Sequence, residues 1–450
     1  MSSNVPTNRV RVWICVAAFV ASFSYALFYR IKPTVDARRY HTVASNLITR
    51  GTFCETCDVP LAKDTAIHGV GPGYQFFLAG VYRIFGIHPW IVWLLQAVMH
   101  AVVVWWVWGM AEMIVPANKR GRWTLALPVA LLAVHPDIVQ NNAMLMTDGL
   151  FTFLFVASVR LFILLLERLK QAGRHVRLAA IMGLLVGLLT MVRPTGVPLL
   201  LFILGVFAWK RRFVLAVLVV SMFVLIQVPW NARNLNVYHK FIFNSVVGGL
   251  DVWVGLYPKG PGEFDMDKLP EIRQRIEGLE AGEIDRVSLQ EAKQIVRDMP
   301  LFALGRTLHK GLKLFALSKT SAFWFHYYGA WDRLATLIES VLFNLLLLGM
   351  FFASLWDALV RRKFQSWILG LCAAMVMLLA ISPTLTVVVN RYRIPMLPFM
   401  AVAAAGWLAC VSGRARRSSL IVAAVVLCIT TGVDVLGSWD KVLERVAHFL

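Results

Sequence analysis

The chain has 450 residues, of which 58% are hydrophobic and 16% charged, with a net charge of +20. A soluble domain carries about 25% charged residues, and the apolar residues here come in long unbroken runs, which excludes a water-soluble globule. The excess positive charge lies mostly on short loops between those runs, where it sets topology, and no basic, aromatic platform points to nucleic acid.

Taken in order, the first run is Val12 to Phe28, preceded by Arg9 and Arg11 and followed by no clear small-residue cleavage site. It reads as a retained signal anchor that leaves toward the outside. An outer loop, 30–73, follows, then an amphipathic stretch from Tyr74 to Gly86 at the interface. Runs at Trp90–Val115, Trp123–Val139, Gly149–Leu166, Leu178–Val192, Val197–Trp209 and Phe213–Trp230 then alternate inward and outward. Basic clusters fall on the inner turns, among them Lys119, Arg120 and Arg122, then Lys170, Arg174 and Arg177, then Lys210, Arg211 and Arg212. After a polar outer segment, 231–331, four more runs occupy 332–450, with inner clusters at Arg361 to Lys363 and at Arg414, Arg416 and Arg417. The expected fold is an all-α polytopic membrane protein with about eleven transmembrane helices (ten to thirteen) and extracytoplasmic interfacial helices. It divides into a transmembrane module at 1–230, the extracytoplasmic loop 231–331, and C-terminal transmembrane helices at 332–450.

Within the outer segment, Ser288-Leu-Gln-Glu291 reads as a capping box opening a helix toward Asp298. Leu301, Leu304, Leu308, Leu312 and Phe315 mark one face of a second helix, with Arg306, His309, Lys310 and Lys313 on the other. That pattern suits an amphipathic helix on the outer leaflet, either as a lipid anchor or as part of a binding site. Cys54 and Cys57, in the outer loop, favour a short disulfide over free thiols or zinc. Gly69-Val-Gly71-Pro-Gly73 follows no strand and reads as a turn, not a nucleotide loop. Asp265-Met-Asp267 lacks the Gly and Glu of a calcium loop. Arg160 and Glu339 fall inside apolar runs, and their cost there suggests a structural pair.

The chemistry-bearing stretch is Pro33-Thr-Val-Asp36-Ala-Arg38-Arg39-Tyr40. An Asp at the mouth of a membrane helix is either an interfacial carboxylate paired with Arg38 or Arg39, or a working acid in a cavity. Asp148 stands at the outer start of a run, where an acid favours a helix N-terminus. Arg193, Arg233, Arg391 and Arg393 each follow an outward run, where topology does not call for cations. Guanidiniums in such turns suit an anionic ligand, since each can grip a phosphate with two parallel hydrogen bonds.

Asp36-Ala-Arg-Arg-Tyr-His-Thr-Val-Ala-Ser-Asn-Leu-Ile-Thr-Arg-Gly51 resembles the first outer loop of GT-C glycosyltransferases. Gly71-Pro-Gly-Tyr-Gln-Phe-Phe-Leu-Ala-Gly-Val-Tyr-Arg-Ile-Phe-Gly86, Met146-Thr-Asp148, Val192-Arg-Pro194, Trp230-Asn-Ala-Arg-Asn234 and Arg391-Tyr-Arg-Ile-Pro395 resemble later stations of the same group. The likeness is to glycosyltransferase family 39, with its RgtA/B/C/D-like and aminoarabinose-transferase-like bacterial enzymes. It implies an inverting transferase of the bacterial inner membrane that uses a polyprenyl-phosphate-linked sugar, with a cytoplasmic N-terminus and an extracytoplasmic site. Asp36 would be the general base. Arg391 and Arg393, with Arg233 and Lys310, would hold the donor phosphate, and Asp148, Arg193 and Tyr40 would support them. Relatives often have Asp-Glu where Asp36-Ala37 stands, and His-Pro-Pro where His68-Gly-Val-Gly-Pro72 stands. Those departures leave the acceptor (glycan, lipid or protein) and any divalent metal open; no metal ligand and no certain cofactor is named. A transporter or flippase, or a polymerase or ligase of lipid-linked glycans, is the alternative. A transporter would call for midplane charges and an internal repeat, and no repeat is found.

Overall fold

A computed structural model describes residues 5–120, 122–169, 175–260, 262–264, 266, 269–320, 329–362, 366–437 and 439. Lys170, Arg174, Lys363, Asp265 and Asp267 lie outside the described residues. The first half of the chain forms α1 (Val5–Tyr29), α2 (Val35–Thr49), α3 (Gly73–Phe85), α4 (Pro89–Ile114), α5 (Arg122–Ala133), α6 (Pro136–Asn142), α7 (Thr147–Arg168), α8 (Val176–Val192), α9 (Val197–Trp209) and α10 (Phe213–Tyr238). The polar segment holds α11 (Val247–Leu256), α12 (Pro270–Ile276), α13 (Ala281–Asp298) and α14 (Pro300–Leu314). The chain closes with α15 (Ala330–Leu359), α16 (Trp367–Leu385), α17 (Leu397–Cys410) and α18 (Gly413–Leu436). Among the described residues there is no strand.

Among the described residues eight helical segments are long and apolar enough to cross a membrane, with α17 counted together with the turn before it, and α5 with α6, bent by 41°, makes a ninth if the pair is one broken span. With α8 and α9, apolar but shorter, every run expected to span has a helical counterpart. The protein is a multi-pass, all-helical membrane protein.

The innermost helix is α17, which packs against α4, α5, α15 and α16. Its run Ala401-Val-Ala-Ala-Ala-Gly406 is buried throughout. Small side chains let neighbouring helix backbones approach closely, which is how helices associate where lipid removes the hydrophobic drive. A 3-10 turn, Asn390–Met396, leads directly into α17. Arg391 and Arg393 therefore stand at one end of the protein's central helix.

Two expectations change. Ser288 does not open a helix: α13 starts at Ala281, and Ser288 lies mid-helix, buried, with no partner for its hydroxyl among the described residues. The buried face Ala281, Ile284, Ser288, Ala292 and Ile295 already keeps helical period before the capping signature, so packing sets the start. Arg160 and Glu339 do not pair. Arg160 contacts Met113 on α4 and lies near Arg11, toward one face, whereas Glu339 is exposed on α15 and lies near Tyr29, toward the other. In α14 the leucine face is exposed, with Leu301 at 83% and Leu308 at 62%, while Lys310 and Lys313 are buried in the protein. The cations of this amphipathic helix thus face inward, and its leucines are left for lipid.

Candidate active site

The 30–73 loop folds around Asp64. Its carboxylate accepts hydrogen bonds from the backbone N–H groups of Glu55 (2.8 Å), Thr56 (3.1 Å) and Ala66 (2.8 Å). Those bonds favour its charged form and, against burial, hold its pKa below the usual range. Cys54 and Cys57 form a disulfide in the same loop. Arg39 on α2 donates to Glu55 at 2.9 Å, so it is not the partner of Asp36. Gly71 and Gly73 bring the loop's end against α8. A Cβ would lie 2.4 Å from the carbonyl oxygen of Met191 at Gly71, and 2.7 Å from its carbonyl carbon at Gly73. Only glycine permits this approach, which seats α3 and α2 beside Arg193.

Asp36 lies in the first turn of α2, where a negative charge meets the positive end of the helix dipole. Its carboxylate receives a hydrogen bond from Arg391 Nη2 at 2.7 Å. Arg391 Nε also lies 3.8 Å from Asp148 Oδ2. Asp148, fully buried at the start of α7, sits 2.9 Å from Arg193 Nη2, an ion pair whose angles are poor for a hydrogen bond. Arg193 Nε donates to Thr147 Oγ1 at 2.8 Å. Two acids and two guanidiniums, drawn from four separate parts of the chain, thus alternate in one network. Burial raises the pKa of Asp36, but the hydrogen bond and charge of Arg391, with Arg39 and Arg193 further off, hold it below the ordinary value. Tyr40, one turn along α2, is buried with its ring edge-on to Tyr74 at 5.6 Å, and desolvation raises its pKa.

A pocket opens beside this network between the residues that lead into α2 and the turn between α6 and α7. Lys32, Asp36, Asn141, Met146 and Arg391 line it. Arg391 Nη1 points at Met146 Sδ, 3.8 Å away, a weak acceptor that an incoming anion would replace readily.

Asp36, Arg391, Asp148, Arg193 and Tyr40 come together. The other three expected residues are placed elsewhere. Arg393 donates to the carbonyls of Ala316 (2.8 Å) and Lys319 and lies 3.8 Å from Asp137. Arg233 stacks on Trp230 at 4.9 Å and donates to Tyr238 and to the Phe53 carbonyl. Lys310, buried, donates to the carbonyls of Thr386 (2.5 Å) and Leu385 (3.4 Å), capping the C-terminal end of α16. Desolvation brings its pKa down to about 8.

Two residues at the site were not singled out in the sequence. Lys32 is an exposed cation on the pocket wall. Asp251, on α11, lies close enough to Asp36 and Arg391 for their charges to act on it.

No family model and no curated protein matches this sequence. Solved structures do. The oligosaccharyltransferase AglB of Archaeoglobus fulgidus, solved with an inhibitory peptide and a dolichol-phosphate, superposes with a TM-score of 0.50 at 15% identity, over 96% of this chain and 55% of AglB. The same enzyme with zinc and sulfate gives 0.49 at 15% identity, over 97% and 52%. ArnT of Cupriavidus metallidurans bound to undecaprenyl phosphate gives 0.37 at 14% identity, over 90% of this chain and 78% of ArnT. The chain shares its overall fold with the AglB oligosaccharyltransferase. At these identities the likeness is one of fold, and this chain spans only about half the length of the archaeal enzyme, 55%. Among the described residues no three His, Cys, Asp or Glu side chains converge as metal ligands. Asp36 on the pocket wall and Asp148 behind it each face a guanidinium.

Proposed function

We propose that this protein is an inverting glycosyltransferase of the bacterial inner membrane. It moves a sugar from a polyprenyl-phosphate donor to an envelope acceptor on the extracytoplasmic face, and its N-terminus is cytoplasmic. The observation that carries the reading is Arg391, held between Asp36 and Asp148 at the mouth of a pocket and at the end of the central helix. The AglB structure with dolichol-phosphate supports the donor class through the shared fold.

In this reading the donor phosphate enters the pocket beside Arg391 and Lys32. A lipid phosphate is a good leaving group when cations receive its developing charge, so no separate acid is needed to protonate it. Asp36, ionised because Arg391 holds its pKa down, takes the proton from the acceptor hydroxyl or amine. As that O–H or N–H bond breaks, the nucleophile bonds to the anomeric carbon. The carbon–phosphate oxygen bond breaks with its electron pair leaving on phosphate, and attack from the opposite face inverts the sugar. Arg193 fixes Asp148, and Asp148 fixes Arg391. No step is assigned to a metal.

The test is reconstitution in liposomes with synthetic polyprenyl-phosphate glucose, galactose, mannose and aminoarabinose, plus an extract of envelope lipids and glycans. Release of polyprenyl phosphate with labelling of an extract component is expected. Intact donor throughout, with lipid movement between leaflets instead, would overturn the reading in favour of a flippase.

A further inference from the structure

Asp251 is the one acid at this site that the mechanism above leaves idle. It sits in the middle of α11, a ten-residue helix too short to cross a membrane. Its orientation follows from Gly255, four residues on and therefore on the same face of the helix. A Cβ at Gly255 would lie 1.8 Å from the carbonyl oxygen of Thr386, so this face lies against the segment that runs from α16 to Arg391. Trp253 and Val387 join the two elements in one apolar cluster. Asp251 lies on that face, near enough to Asp36, Arg391 and Tyr392 for their charges to act on one another. It is part-buried and has neither a hydrogen bond nor an ion pair among the described residues, whereas Asp36 is engaged by Arg391 at 2.7 Å.

We propose that Asp251 is a second working carboxyl of this pocket, the group on which the acceptor's proton comes to rest. The inference depends on the reading of the site as a glycosyl-transfer centre. A proton taken up by Asp36 is poorly held there, because Arg391 favours the charged form of that carboxylate. Asp251 has no such partner among the described residues and lies within reach of the Asp36 charge. The balanced step runs in two parts. The acceptor's O–H or N–H bond breaks as its bond to the anomeric carbon forms, with the proton going to Asp36. It then passes to the Asp251 carboxylate, which becomes a neutral carboxylic acid and leaves Asp36 charged beside Arg391.

Burial and the neighbouring charge of Asp36 push the Asp251 pKa up to about 7, against a partial opposing pull from Arg391. The other polar groups near this face do not neutralise it. Asp285 on α13 accepts from the Gly249 N–H at 3.0 Å, and Lys310 on α14, near Gly255, is spent on the end of α16. Asp251 must be ionised to receive a proton, so turnover should rise with pH through that value.

The experiment measures kcat/KM across pH 5.5 to 9 in proteoliposomes of the full chain, with whichever of the four donors the unsubstituted protein consumes. Asp251→Asn should lose on the order of 10²-fold at pH 7, the low end for a positioned proton acceptor, and should lose the rising limb. Its KM for the donor should stay unchanged, since Asp251 does not touch the phosphate. Asp251→Glu should keep the limb and recover most of the rate, which separates proton handling from folding. An Asp251→Asn protein that works at the original rate, or keeps the limb, overturns the inference and leaves the glycosyl-transfer reading standing. A flat profile in Asp251→Glu overturns it too. If the unsubstituted protein consumes none of the donors, both fall.

Discussion

Arg391 and Arg393 stand two residues apart, are similarly buried (5% and 1% exposed), and each lies near an aspartate. Their surroundings differ in kind. Arg391 joins carboxylates on α2 and α7 beside a pocket, and one of its nitrogens also meets a thioether. Arg393 gives its donors to the carbonyls of Ala316 and Lys319, behind which Lys313 and Lys319 meet Glu263 and Asp434 in a closed ionic cluster. Buried charge alone is therefore no sign of a binding site. A cation whose donors end on backbone carbonyls holds the fold together, whereas one balanced between carboxylates at a pocket edge can exchange a protein anion for a ligand's.

The sharpest way to test that contrast is Asp36→Asn. With the proposed base removed, turnover should fall by about 10²–10⁴-fold while the protein still accumulates and binds donor lipid. Normal transfer by this variant would remove Asp36 from the mechanism. The matching change on the other side is Arg393→Met. Removing one member of a buried charged set strands the other, which costs about 3–5 kcal/mol. Melting in detergent should drop clearly, while the molecules that remain folded keep their donor KM. An Arg393→Met protein that melts normally yet binds donor poorly would erase the distinction.

A pH comparison comes next. An acid whose folded pKa is raised contributes stability that is complete below its unfolded value and is lost as pH rises toward the folded one. For Asp251 that window runs from its ordinary 3.8 to about 7. Asp251→Asn should therefore melt like the unsubstituted protein near the bottom of the window, gain on it steadily through the window, and keep a constant lead above it. Parallel melting curves at every pH would mean that Asp251 does not titrate as its surroundings dictate. Lys32→Ala should act more weakly, because Lys32 is exposed and water screens it. A donor KM raised about three- to tenfold with kcat unchanged would place its ammonium on the phosphate.

The fold was legible because hydropathy and loop charge act directly on where a helix lies in a membrane. Asp36, Asp148, Arg193 and Arg391 were legible for a related reason: they are charges at the ends of apolar runs, where topology does not ask for them. What the chain order could not convey was direction. Nothing local distinguishes Arg391 from Arg393, and only the 3-10 turn sends one toward α2 and the other toward Ala316. Asp251 was hidden in Gly248-Gly-Leu-Asp-Val-Trp253, a short apolar stretch inside a polar segment, and its nearness to Asp36 arises only when α11 folds onto the segment after α16. The Ser288 signature failed for the opposite reason: a valid local signal was overridden by an apolar face that had already begun.

The smallest effect expected lies next to the largest. Val35, immediately before Asp36, has φ +47°, and its side chain is 67% exposed. A β-branched residue in the left-handed region costs about 1–2 kcal/mol, and the exposed side chain recovers little of that by packing. Glycine removes the clash but adds about 0.5–1 kcal/mol of unfolded-chain entropy, so Val35→Gly should stabilise by at most about 1.5 kcal/mol. In melting temperature that is about 1–3 °C. Strain kept beside a working group usually serves to fix it. The branched side chain at position 35 restricts the turn that aims Asp36 at Arg391, so the glycine variant should also turn over about two- to fivefold more slowly. A variant that is more stable and equally fast would show that the network itself, through Arg391 and Asp148, is enough to hold Asp36 in place.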